Sequence, residues 1–107
     1  MKARIGDGKR IAAARVSKIP KFLLGYKPYP GTLNIRACRG ETLIDLSTPP
    51  IYYEGIRLWP IFVNDIEGHV VRWKDDKRVE SFEVIAPVRL RDHLKLKKYD
   101  YVYILRR

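Results

Sequence analysis

Through most of this chain, apolar and polar residues alternate with a two-residue period, in short runs separated by turn residues. Residues 2–5 read as a strand that breaks at Gly6-Asp7-Gly8, and 9–16 read as strand or extended chain, although Ala12-Ala13-Ala14 suits a helix equally. Residues 17–24 hold one helical turn or two, with Phe22, Leu23 and Leu24 on the apolar side and Gly25 as the stop. Pro28 and Pro30 then fix a rigid turn that empties into a strand over 32–37. Runs at 51–53 and 56–63 flank Glu54-Gly55 as a hairpin, and a turn at 64–68 leads into 69–73. A charged tip at 74–78 is followed by alternation over 79–86, with Phe82, Val84 and Ala86 on one face and Ser81, Glu83 and Ile85 on the other. Pro87 opens a short helix over 88–94, and 101–105 is the last strand. Many short strands between turns predict a mainly β protein, a small closed six-stranded β-barrel with one or two short helices, which removes exposed strand edges.

A chain of 107 residues with 46% hydrophobic content has room for one core, so a single domain over 1–107 is expected. No apolar run approaches a membrane span, and the first residues lack the apolar segment of a signal peptide, so the expected location is the cytoplasm. Cys38 is the only cysteine, which excludes an internal disulfide and a cysteine-built zinc site. The net charge of +10 asks for an anionic partner, whether nucleotide, nucleic acid or membrane surface, or else reflects solubility.

The candidate chemistry is defined as much by what is missing. No phosphate loop of the Gly-x-x-x-x-Gly-Lys-Ser/Thr type is present, and His69 and His93 lie in different elements, so hydrolytic triads and tight transition-metal sites lack support. Thr32 and Asn34 share one face of their strand beside the proline turn. As outward residues of a half-buried strand they need no special role. As neutral oxygen donors they suit a Mg²⁺ whose shell is completed by phosphates and water. Gly6-Asp7-Gly8-Lys9 is either an ordinary hairpin turn or a backbone cradle for phosphate, with Arg4 and Arg10 nearby. Glu83, between Phe82 and Val84, is either a solvated residue or an acceptor and base toward a ligand hydroxyl. Val88-Arg89-Leu90-Arg91 opens a helix, where both the helix end and the arginines favour anions.

The stretch Gly25-Tyr26-Lys27-Pro28-Tyr29-Pro30-Gly31-Thr32-Leu33-Asn34 resembles the signature of the archaeal CTP-dependent riboflavin kinases. Glu83-Val84-Ile85-Ala86-Pro87-Val88-Arg89-Leu90-Arg91 resembles their second conserved block, and Gly6-Asp7-Gly8 a shortened form of their glycine-rich loop. The resemblance implies a barrel of the cradle-loop type that transfers the γ-phosphoryl group of CTP to the riboflavin 5′-hydroxyl, giving FMN and CDP. It further implies that Arg4, Ile5, Gly6, Asp7, Gly8 and Lys9 line the nucleotide, together with Val88, Arg89, Leu90 and Arg91. Thr32 and Asn34 would hold one Mg²⁺, and Glu83 and Asp75 would face the flavin, Asp75 standing where the family has a hydroxyl residue. The expected partners are riboflavin and CTP, on a monomer, without membrane or nucleic acid.

Two other classes of function compete with that reading. A basic β-barrel that binds RNA or DNA would use the cations with Tyr52, Tyr53, Trp59 and Trp73. A non-catalytic relative would bind flavin or nucleotide without turnover.

Overall fold

The structure is a computed structural model that describes residues 1–6, 13–41, 44–47, 49–74 and 76–107. Its strands are β1 (Lys2–Ile5), β2 (Leu33–Ala37), β3 (Ile51–Tyr53), β4 (Ile56–Val63), β5 (Ile66–Arg72), β6 (Ser81–Ile85) and β7 (Tyr101–Arg106). Its helices are α1 (Ala13–Ser17), α2 (Lys21–Leu24) and α3 (Leu90–His93). The neighbour order β3-β4-β5-β6-β2-β1-β7 closes on itself because β4 also pairs with β7, so six antiparallel strands form a barrel and β3 lies outside the ring.

Strand β4 makes the closure possible by using one edge twice. Ile56–Leu58 faces β3 and Ile61–Val63 faces β7, while the other edge follows β5 along its length. Pro60 stands at the change of partner, where a missing N–H removes no ladder bond. Asn64 fastens the joint: its backbone N–H donates to the Tyr103 carbonyl at 2.7 Å, and its side-chain oxygen accepts from Tyr103 N–H at 2.9 Å. The Glu54-Gly55 hairpin forms as the sequence predicts, with φ of 46° and 82°, the left-handed pair that matches strand twist.

Alternation sorts the side chains into two apolar layers. Ala3, Ile5, Leu33, Ile35, Trp59, Ile61, Val70, Phe82, Val84, Val102 and Ile104 fill the barrel. Val16, Ile19, Leu24, Leu58, Val71, Trp73 and Ile85 form a second layer on the outer wall, covered by α1 and α2. That second layer explains two differences from the sequence reading. Residues 13–17 are helical because Val16 seals the layer, so Ala13 and Ala14 follow their helix propensity rather than the extended alternative. Three short helices are present rather than one or two. β5 also begins earlier than expected, at Ile66, because Asn64 and Asp65 alone make the turn. Gly68 is needed within β5: a Cβ there would lie 2.6 Å from the Ile85 carbonyl oxygen of β6.

Candidate functional site

Strand register draws a single row across the outer wall of the barrel. Arg4 pairs with Arg36 and Ile5 with Ile35, so Gly6 comes beside Asn34, whose carbonyl accepts the Gly6 N–H at 2.8 Å. Asn34 pairs with Glu83, Glu83 with Val71, Val71 with Leu58, and Leu58 with Ile51. The row is polar over β1, β2 and β6 and apolar over β5, β4 and β3. The change falls at Glu83.

On the Gly6 side, three stretches separated in sequence are bound through backbone groups. Arg91 donates to the Gly6 carbonyl at 2.7 Å, and Gly6 in turn donates to β2. Tyr29 N–H donates to the Ala86 carbonyl at 2.8 Å, which docks the proline turn on the segment that leads into α3. The residues 28–34, 83–91 and 4–6 are thereby brought together. Within them the roles divide. Ile5 and Leu90 are buried in the barrel core, so their side chains do not face a ligand. Val88 also packs against the core, and Arg89 is paired with Asp92 at 2.6 Å. Arg4 is exposed and donates to the Tyr101 hydroxyl at 3.0 Å. α3 has four residues, too few for a substantial dipole, so its attraction for anions rests on Arg89 and Arg91. Asp7, Gly8, Lys9 and Asp75 lie outside the described residues.

On the other side the contacts are between side chains. The Glu83 carboxylate accepts from the Thr32 hydroxyl at 3.0 Å on one oxygen, and on the other from Trp73 Nε1–H and Arg78, both at 2.9 Å. Arg78 also grips Asp76 with Nε and one terminal nitrogen, at 2.9 and 2.8 Å. Those hydrogen bonds hold the Asp76 carboxyl down at about 2, and Asp76 raises Arg78 in return. The network forms one wall of a cleft of about 600 Å³, whose other sides are Arg15, Lys18, Tyr53, Glu54, Ile56 and Lys74. Trp73 is the cleft's aromatic surface, with the Arg15 guanidinium 5.5 Å above its ring.

Trp73, Asp76 and Arg78 were not among the site residues expected from the sequence. Their signal lies in the register of the β5–β6 hairpin. Once Val71 is set opposite Glu83, Trp73 is one step further along the same face, and its indole N–H finds the carboxylate. Trp59, one of the aromatics a nucleic-acid surface would have used, is instead buried, and Trp73 is exposed only where it lines the cleft. Behind the cleft the Tyr26 hydroxyl lies 2.7 Å from His69 Nδ1 and donates to the Ile85 carbonyl at 3.3 Å. Burial pushes the Tyr26 hydroxyl up and the His69 imidazole down to about 4, with Arg107 adding to the effect on His69.

As for metals, the described residues contain no group of three or more His, Cys, Asp or Glu able to hold an ion. Thr32 and Asn34 flank Glu83, so the available set is two neutral oxygens and one carboxylate. Hard oxygen donors in that number suit an ion that brings the rest of its shell with it. No helix among the described residues is long and apolar enough to cross a membrane.

Known proteins place this architecture. The chain is similar to the riboflavin kinase of Pyrococcus abyssi, 34% identical over 94% of this chain and 53% of the relative. It is similar also to those of Thermococcus kodakarensis (34%, over 92% and 52%) and Methanoregula boonei (36%, over 94% and 52%). The chain thus spans about half the length of these curated relatives. The family model named for CTP-dependent riboflavin kinase, and described as a domain of unknown function, DUF120, matches residues 5–105. With the match running over nearly the whole chain, it belongs to the CTP-dependent riboflavin kinase family.

Proposed function

We propose that residues 1–107 form a kinase domain that transfers the γ-phosphoryl group of CTP to the 5′-hydroxyl of riboflavin. The observation that supports this best is the row Gly6–Asn34–Glu83, where a backbone-and-arginine clamp and a carboxylate-lined cleft meet on one wall. Phosphoryl transfer asks a protein chiefly to position two reactants and neutralise charge, and such a junction is suited to that task.

On this reading CTP lies on the Gly6 side. Asp7, Gly8 and Lys9, which follow Gly6 in the sequence, would offer backbone donors and a cation, Arg91 braces the Gly6 carbonyl, and the 88–91 backbone reads the cytosine edge. Thr32 and Asn34 would hold Mg²⁺, which, when bound, offsets the phosphate charge. The Thr32 proton is already donated to Glu83, which leaves the hydroxyl lone pairs for a cation, so the donor set fits.

Riboflavin takes the cleft, its ring system against Trp73, Tyr53 and Ile56 and its ribityl chain toward Glu83. A carboxylate that already accepts from three donors is held in one orientation, so its main service is to place a ligand hydroxyl. The role of Glu83 as a base toward that hydroxyl is secondary to this. The cationic rim of Arg15, Lys18, Lys74 and Arg78 raises the local concentration of anions at the cleft mouth.

The test is FMN formation by the purified protein with riboflavin, Mg²⁺ and, in parallel, CTP, ATP, GTP and UTP. FMN produced chiefly with CTP supports the assignment. No FMN with any nucleotide, from protein shown to be folded, rejects it.

A further inference from the structure

Glu83 receives hydrogen bonds from three separate segments, and one of the donors is itself fixed by a second carboxylate. That donor is Arg78. Its Nε and terminal nitrogen clasp the two oxygens of Asp76, whose Oδ1 also accepts the Arg78 backbone N–H at 3.1 Å. Asp76 is immobilised in turn. Its side chain is 6% exposed and lies 3.5 Å from Arg72, a guanidinium equally buried that donates to the Ser81 carbonyl at 2.8 Å. The order of contacts is therefore Arg72, Asp76, Arg78, Glu83, the last three lining the cleft. The Arg78 side chain, at 46% exposed, is the member that both belongs to the buried network and meets solvent in the cleft.

We propose that Arg78 is a positioning residue of the site. Anchored by Asp76, it fixes the Glu83 carboxylate in the one orientation that accepts the Trp73 indole and the Thr32 hydroxyl together. The physical case is geometric. A glutamate side chain has three rotatable bonds, and two neutral donors alone leave it able to turn toward water. A guanidinium forked onto a rigid aspartate supplies a charge-assisted bond from a fixed direction. Thr32 is the second beneficiary. While Glu83 stays in place, the Thr32 proton is committed and its lone pairs keep one direction; when Glu83 turns away, the hydroxyl is free to present its proton instead. Lysine cannot replace this arginine, because a point charge cannot grip Asp76 with two parallel bonds and reach Glu83 as well.

The inference rests on the reading of the cleft as the riboflavin site for its binding readout, but not for its structural one. The experiment uses ¹⁵N-labelled protein and its two indole Nε1–H resonances, with Trp73→Phe identifying which belongs to Trp73. Arg78→Gln is expected to move the Trp73 indole resonance while the Trp59 resonance stays in place. The same variant should weaken riboflavin binding, followed by flavin fluorescence, by roughly tenfold, the scale of one charge-assisted bond. Arg78→Lys keeps the charge and should recover neither readout fully; it is also the second variant should the first fail to fold. An unmoved Trp73 resonance, an unchanged riboflavin affinity, or full recovery by lysine overturns the proposal. Should the unaltered protein bind no riboflavin, it is the substrate reading that fails, and the Trp73 resonance alone then decides the role of Arg78.

Discussion

The two halves of the outer barrel wall share one row of residues and do different things with it. At the end of β1 and over β2 and β6 the row is Gly6, Asn34 and Glu83, polar and half-buried. Over β5, β4 and β3 it is Val71, Leu58 and Ile51, closed beneath α1 and α2. The same alternation builds both, because every second residue of every strand must face outward. What differs is the cover. Where helices supply an apolar lid, the outward positions become a second core. Where the described helices add no apolar cover, the outward positions stay polar. The comparison teaches that stability and chemistry are separated along the strand-to-strand direction, and that substitutions on either side should be separable too.

The largest effect belongs to the closed half. Leu58 is fully buried at the centre of the second layer, and Leu58→Ala should cost about 2–5 kcal/mol in chemical denaturation. Riboflavin affinity, measured where the variant is still folded, should change little. A large loss of affinity at full folding would break the separation. In the same half, His69 offers a pH test. Its imidazole is pushed down to about 4 in the folded protein, against an ordinary value near 6.5. The unfolded chain therefore binds the proton more readily, so the contribution is fully present above pH 6.5 and is lost as pH falls toward 4. About 3 kcal/mol of stability should disappear across that window, and His69→Gln should flatten the curve there.

The polar half should respond in the opposite way. Asn34→Ala removes a half-buried carboxamide whose backbone bond to Gly6 survives the change, so the fold should hold. FMN formation should fall by about a hundredfold, comparable with the loss of one preorganised polar contact to a transferring group. Full activity in this variant would remove Asn34 from the proposed Mg²⁺ set. A melting point lowered as far as in Leu58→Ala would show that the polar half also carries the fold.

How much of this could be read from residue order follows the same division. The alternation over 33–37, 56–63 and 81–86 announced strands and their inner faces, because a two-residue period is a local property. The resemblance picked out Thr32, Asn34, Glu83 and the 88–91 segment, and the strands bring the three blocks side by side. Local pattern does not say which outward face will be covered. Val71, Leu58 and Ile85 look like outward residues of ordinary strands until α1 and α2 are laid on them. Trp73 and Arg78 were missed for a related reason: their meeting with Glu83 depends on the β5–β6 register and on a hairpin tip that composition alone marks as charged and solvated. The Ile5 and Leu90 side chains went the other way. They sit inside the stretches that the resemblance assigned to the nucleotide, yet their inward phase sends them to the barrel core.

The smallest effect should come at the seam, where one residue belongs to both halves. Trp73 packs in the second layer with Val16, Leu58 and Ile85, and it also donates its indole N–H to Glu83. Trp73→Phe keeps most of the packed ring and deletes only the donor. Glu83 retains Thr32 and Arg78, so the carboxylate stays in place with one hydrogen bond fewer. Stability should fall by about 1–2 kcal/mol, and riboflavin affinity by roughly threefold to tenfold, since a bond to a charged group is modest when two others remain. Both readouts should move together, unlike Leu58→Ala or Asn34→Ala, each of which moves one. A Trp73→Phe protein that loses stability alone would assign Trp73 wholly to the closed half. The border between the layers would then run between Trp73 and Glu83, rather than through the indole.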